Sequence, residues 1–226
     1  MTPLIDSLLR GDQAEVVARL QAGEPPNARD ADGNPAIVIA ASRRLKLSVK
    51  TLIAHGCDVN ARTGKGDTAL LRSSANGQWI VCVLLLKAGA APDLADATGL
   101  TPLMCAAYQG HYAVAEQLIF AHAKVDAVDK CGYTALCFAA NAGKDDLVRL
   151  LLAVGANPNA VDNDGNTPLM FAAQNGNRHS VGALLGAHAS PTARNMLGWT
   201  PTRFAEHNQH PLIVEMLAAA AGTPIR

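Results

Sequence analysis

Apolar positions along this chain come in pairs on an even step. Leu52-Ile53, Leu85-Leu86, Leu118-Ile119, Leu151-Leu152 and Leu184-Leu185 follow one another at 33-residue intervals. Glycine keeps the same step at Gly33, Gly66, Gly99, Gly132, Gly165 and Gly198. Two further glycine columns run through Gly23, Gly56, Gly89 and Gly155, and through Gly11, Gly77, Gly110, Gly143 and Gly176. His122 and His188 stand in the first of these, and Arg44 interrupts the second. Asp30, Asp96, Asp129 and Asp162 form a polar column shared with Thr63 and Asn195. A fixed step without slippage predicts a stacked repeat array rather than one globule.

One copy shows the local grammar. Asp96-Ala97-Thr98-Gly99 is turn chemistry, with glycine free to take positive φ. Thr101-Pro102 then predicts a helix start, because the threonine hydroxyl can cap the helix and proline has no N–H to leave unpaired at its first position. Residues 103–108 read as a short helix with Ala106 and Ala107 on one face, ended by Gly110. Residues 111–120 read as a second helix, with Val114, Leu118 and Ile119 at helical spacing. Helices this short are marginal alone and must bury their faces on neighbouring copies.

These residues carry a family resemblance. Asp162-Asn163-Asp164-Gly165-Asn166-Thr167-Pro168-Leu169, followed by Ala172-Ala173, and the run Gly155-Ala156-Asn157-Pro158-Asn159-Ala160 resemble the ankyrin repeat over essentially the whole chain. Thr2-Pro3-Leu4 falls in the same register. The resemblance implies an all-α solenoid of stacked helix-turn-helix repeats joined by β-turn loops, about seven helix pairs including caps. The expected organisation is a single domain over 1–226. An N-terminal capping pair spans 2–23, five internal repeats span 24–197 and a C-terminal capping repeat spans 198–226. The family's histidine after Thr-Pro-Leu is replaced by Val38, Leu71, Met104, Cys137, Met170 and Arg203, a pattern similar to many bacterial ankyrin proteins. Arg72-Ser73-Ser74 replaces the usual aliphatic-Ala-Ala; its charge must reach water or pair internally.

Composition narrows function. The chain has 226 residues, with 19 Lys plus Arg balanced by 19 Asp plus Glu. Zero net charge argues against a nucleic-acid binder, which draws its affinity from excess cations facing phosphates. The longest apolar run, residues 80–86, falls well short of the ~18 residues a membrane span needs. Asp6, Arg10 and Asp12 stand where a signal peptide has its apolar core. Five cysteines without framework spacing fit free thiols in a reducing cytoplasm.

No catalytic constellation emerges, and neither a metal nor a cofactor is expected. Gly64-Lys65-Gly66-Asp67-Thr68 lacks phosphate-loop spacing and is the repeat's own turn. The histidines are scattered without metal-ligand spacing. Cys105 and Cys137 lie on neighbouring first helices and read as small buried hydrophobes, while Cys131 sits at a turn tip.

A protein partner is the remaining expectation. The resemblance implies contacts from turn tips and first helices, which line a concave surface in solenoids. Tyr108, Tyr133 and Trp199 fall in those columns, as does Leu100, whereas Phe138, Phe171 and Phe204 share a column expected in the core. Tyr, Trp and Arg dominate interface energetics. Arg29, Arg62, Lys65 and Lys130 complete the candidate contact set. The expected role is a non-catalytic adaptor or scaffold acting as a monomer in the cytoplasm. An immunity protein or inhibitor that blocks a toxin or hydrolase, and a secreted effector that engages host proteins, are the alternatives.

Overall fold

A computed structural model describes residues 2–222. The described residues hold fourteen helices in seven pairs: α1 (Pro3–Arg10) with α2 (Gln13–Gln21), α3 (Ala36–Ser42) with α4 (Lys46–Ala54), α5 (Ala69–Ala75) with α6 (Trp79–Lys87), α7 (Pro102–Gln109) with α8 (Tyr112–Phe120), α9 (Ala135–Asn141) with α10 (Asp145–Ala153), α11 (Pro168–Gln174) with α12 (Arg178–Gly186), and α13 (Pro201–His207) with α14 (Pro211–Ala220). The only β-type pairing among them is an isolated bridge between Arg29 and Pro35. The architecture is an all-α repeat solenoid of helix pairs. Residues 223–226 of the anticipated C-terminal cap lie outside the described residues.

Sequence explains where the helices begin. Thr2, Thr68, Thr134, Thr167 and Thr200 each sit just before a first helix, and each hydroxyl accepts a backbone N–H from three residues on. The first helix of the second repeat starts after Pro35 and has no side-chain cap. Left-handed residues punctuate the pairs. Gly11, Gly77, Gly110, Gly143 and Gly176 take φ between +62° and +87°; Arg44 and Gln209 adopt the same conformation at φ +61° in that column. His122 and His188 do so at the ends of their second helices. A β-carbon is crowded in this region, so these four side chains carry local strain.

The chain falls into two compact units, one of residues 1–105 and 116–123, the other of 106–115 and 124–226. In the first, α1, α3 and α5 pack in a row, and α2, α4 and α6 form a second row behind them. In the second, α9, α11 and α13 form the row of first helices, and α10, α12 and α14 the row of second helices. Burial follows the 33-residue columns. Leu52, Leu85, Leu118, Leu151, Leu184 and Leu217 are fully buried. The alanine pairs Ala40-Ala41, Ala139-Ala140 and Ala172-Ala173 are buried too, and their small size lets neighbouring helices approach.

Among the described residues one buried side-chain group is unsatisfied. Ser48 on α4 is fully buried and its hydroxyl has no hydrogen-bond partner. Ser180 stands four repeats later in the same column and donates to Asp145 Oδ1 at 2.5 Å. The residue in the Asp145 column opposite Ser48 is Gln13, whose amide oxygen accepts from the Leu47 N–H instead.

Candidate functional site

Each turn is braced from within. Asp96 Oδ1 accepts the backbone N–H of Thr98 and of Leu100 at 2.8 and 2.9 Å. Asp129 does the same for Cys131 and Tyr133, Asp162 for Asp164 and Asn166, and Asn195 for Leu197 and Trp199. Burial alone would raise the Asp30 and Asp96 carboxyls, but the hydrogen bonds they accept win and hold both below the usual carboxylate value. Neighbouring tips are also tied together. The Ala97 N–H donates to the Lys65 carbonyl in the first unit, and Asn163 and Met196 donate to the Cys131 and Asp164 carbonyls in the second. The residue after the turn glycine reaches the following first helix at Asp67, Tyr133 and Trp199, whereas Asn34 and Asn166 bond back to the aspartate of their own turn.

In the second unit those residues build aromatic clusters. Tyr133 lies between Phe138 and Phe171, with ring centroids 5.5 and 5.2 Å away. Tyr108 meets Phe138 edge-on at 6.0 Å. Such offset and edge contacts suit aromatic quadrupoles. Tyr108 stays 47% exposed while Tyr133 is half-buried. Burial, then the Asp162 carboxylate, pushes the Tyr133 phenol above its ordinary value. Trp199 forms a separate cluster with Phe204 at 5.1 Å and His207 at 5.4 Å, and the Arg203 guanidinium lies 4.7 Å from its ring centre. Met196 and Leu197 at that tip are 77% and 78% exposed.

This geometry corrects the expected core column. Phe171 is buried, but Phe138 and Phe204 are only half-buried. They pack against the tip aromatics and keep part of their surface exposed. Tyr133 and Trp199 are correspondingly less exposed than surface columns imply.

The first unit carries charge at its turns. Arg29 donates to the carbonyls of Gly33 and Arg62 at 2.6 and 3.0 Å. Arg62 repeats the arrangement one step on, donating to Gly66 at 3.2 Å and to Ala95. Both guanidinium groups, anticipated as partner contacts, therefore fasten adjacent turns. Arg72 resolves its placement by pairing: its guanidinium meets Asp67 Oδ2 at 2.7 Å, and the Asp67 side chain is 8% exposed. Lys65 is exposed, and Leu100 is half-buried with its N–H and carbonyl both used by the Asp96 turn. Lys130 is exposed in the second unit, and its carbonyl accepts from Asn163 Nδ2.

The cysteines are free thiols. Burial pushes Cys105 up to about 12 and Cys57 to about 11, and raises Cys82 and Cys137 as well. A thiol so raised is a poor nucleophile at neutral pH, because the thiolate is the reactive form. Cys131 alone is exposed. Among the described residues no group of His, Cys, Asp and Glu is arranged to hold a metal ion, and no helix is long and apolar enough to cross a membrane.

Comparison with known proteins agrees with the architecture. A family model described as ankyrin repeats (3 copies) matches residues 4–96, 61–129, 76–162, 103–195 and 143–225, which overlap to cover nearly the whole chain. No curated protein matches the sequence.

Proposed function

The chain belongs to the ankyrin-repeat family, whose members are generally protein–protein interaction modules, and from this premise we infer that it is a non-catalytic adaptor or scaffold that binds a protein partner through its turn tips and first helices. The exposed aromatic cluster of the second unit carries this reading. Tyr108 presents its ring at the surface, Tyr133 is wedged between two phenylalanines, and Lys130 flanks them at the tip. Pre-ordered aromatic side chains lose little conformational entropy on binding and are enriched among interface hot spots. The fold has no use for the exposed part of these rings.

The terminal helix pairs are proposed as the caps of a monomeric array. Arg203 and Glu206 are exposed on α13, as a water-facing last repeat requires. Free thiols fit a cytoplasmic setting.

The test is affinity capture from the source cell, read by mass spectrometry. A Tyr108→Ala/Lys130→Ala variant removes exposed contacts of the second unit. A Trp79→Ala/Tyr112→Ala variant removes aromatics that are 52% and 43% exposed at the starts of second helices. A partner held by wild type and by the second-helix variant, and lost by the first, supports the reading. A partner lost only by the second-helix variant refutes the assignment of the face.

A further inference from the structure

The column that supplies Phe138, Phe171 and Phe204 in the second unit holds Ile39, Arg72 and Cys105 in the first, and the tip column of Tyr133 and Trp199 holds Asn34, Asp67 and Leu100 there, so one repeat alone places an acid and a base at the two positions. The Asp67–Arg72 ion pair thus occupies the positions of the Tyr133–Phe138 and Trp199–Phe204 ring pairs. The same scaffold position has changed from aromatic to ionic chemistry. Beside it opens a cavity of about 500 Å³ whose lining includes Asp32, Arg43, Lys65, Asp67 and Arg72. That volume lies within the range of ~300–1,000 Å³ typical of ligand sites.

From this cavity we propose that the first unit contains a receptor site for a carboxylate, filled by an Asp or Glu side chain on an extended segment of a protein partner. Asp67 is neutralised by Arg72 and holds the guanidinium in place, leaving this five-donor group further N–H capacity. Among the described residues the side chains of Arg43 and Lys65 have no hydrogen-bond or ion-pair partner. Arg29 and Arg62, by contrast, spend their donors on turn carbonyls. Against two uncommitted cations stands one acid, Asp32, so the cavity has a single positive charge in excess. A monoanion matches that excess, and an arginine fork is suited to a carboxylate. A phosphate dianion would face both wall carboxylates with too little charge to offset them. A carboxylate carried on a peptide satisfies both this charge balance and the protein-binding reading. The proposal rests on the protein-binding reading above and adds the chemistry of the partner.

The experiment uses the full chain and a defined probe. A fluorescein-labelled, acetylated and amidated decapeptide pool with Glu fixed at the centre is titrated by fluorescence anisotropy against a matched pool with Gln fixed. The Glu pool is expected to bind about tenfold tighter or better, as charge-assisted bonds imply. Arg43→Gln/Lys65→Gln should reduce that preference to about twofold or less, and because both side chains are exposed and unpartnered, circular dichroism should be unchanged; either single change serves if the double variant fails to fold. Lys46→Gln/Lys50→Gln removes the same charge from α4 away from the cavity and should keep the preference. Equal affinity for the two pools, no binding of either, or displacement by inorganic phosphate beyond that caused by chloride of equal ionic strength would overturn the proposal. Tyr108→Ala separates the two readings. If it abolishes partner capture while the Glu preference is absent from wild type, the carboxylate site fails and the protein-binding reading stands.

Discussion

Gly132 at a turn tip and Gly155 at the end of α10 provide a controlled comparison of two left-handed glycines. Both have positive φ, +85° and +90°. A β-carbon on Gly155 would meet nothing within 4 Å, whereas one on Gly132 would lie 2.9 Å from the Asp162 Cα and from the Asn163 backbone nitrogen. Gly155→Ala therefore reports conformation alone. The left-handed region costs an L-residue roughly 1–2 kcal/mol, and the stiffer unfolded chain returns about 0.4–1 kcal/mol, leaving a loss near ~1 kcal/mol. Gly132→Ala adds a steric conflict with backbone, which cannot rotate away. The next turn must shift, and the Asn163 N–H to Cys131 carbonyl bond at 2.9 Å and the Asn163 Nδ2 to Lys130 carbonyl bond go with it. At about 1 kcal/mol per bond, its total loss is ~3 kcal/mol. Urea unfolding followed by far-UV circular dichroism measures both variants under one protocol. Equal midpoints for the two would refute the tip-to-tip contact as a source of stability.

Other expectations follow from strain, orphaned polarity and titration. Ser48→Ala removes a buried hydroxyl without a partner and improves helix propensity; it should stabilise by about 1–2 kcal/mol, checked by a rise in thermal midpoint. Arg44→Gly relieves a left-handed side chain and should stabilise by about 0.5–1 kcal/mol in the same assay, whereas Lys50→Gly, in the middle of α4, should destabilise by a similar amount. Asp30 and Asp96 have folded values below their unfolded one, so their contribution is present above the unfolded carboxylate value and is lost as pH falls through the folded one. Asp96→Asn keeps the acceptor oxygen, and its acid-unfolding profile should be shallower than wild type's over that window; an unchanged profile would remove Asp96 from the linkage.

Much of the fold was readable because the chain repeats itself. Thr-Pro-Leu, the alanine pairs and the leucine column each recur with the same physical task, and six copies vote on every assignment. The aromatic columns of the candidate site were legible for the same reason. What sequence did not reveal depends on departures seen once or twice. Phe138 looks like Phe171 in register, yet it is half-buried where Phe171 is buried, although Tyr108 and Tyr133 both pack on it. Arg29 and Arg62 look available, yet their donors reach carbonyls in three dimensions. The cavity beside Arg72 escaped notice because Asp32, Arg43 and Lys65 belong to different columns. One signal was present: Asp67 and Arg72 hold the tip and phenylalanine columns in one repeat, as Tyr133 and Phe138 do later.

The arginine fastenings of Arg29 and Arg62 end on neutral carbonyl oxygens rather than on carboxylates. Mobile ions weaken attraction between two full charges far more than attraction between a charge and a dipole. The turn-to-turn fastening by these two arginines is thus largely insulated from ionic strength, although arginine-rich turns suggest the reverse. Capture of a carboxylate by Arg43 and Lys65 is a contact between full charges and has no such insulation. Salt can therefore empty the receptor while leaving the architecture that supports it standing, so release of a partner and loss of structure become separable events in one titration.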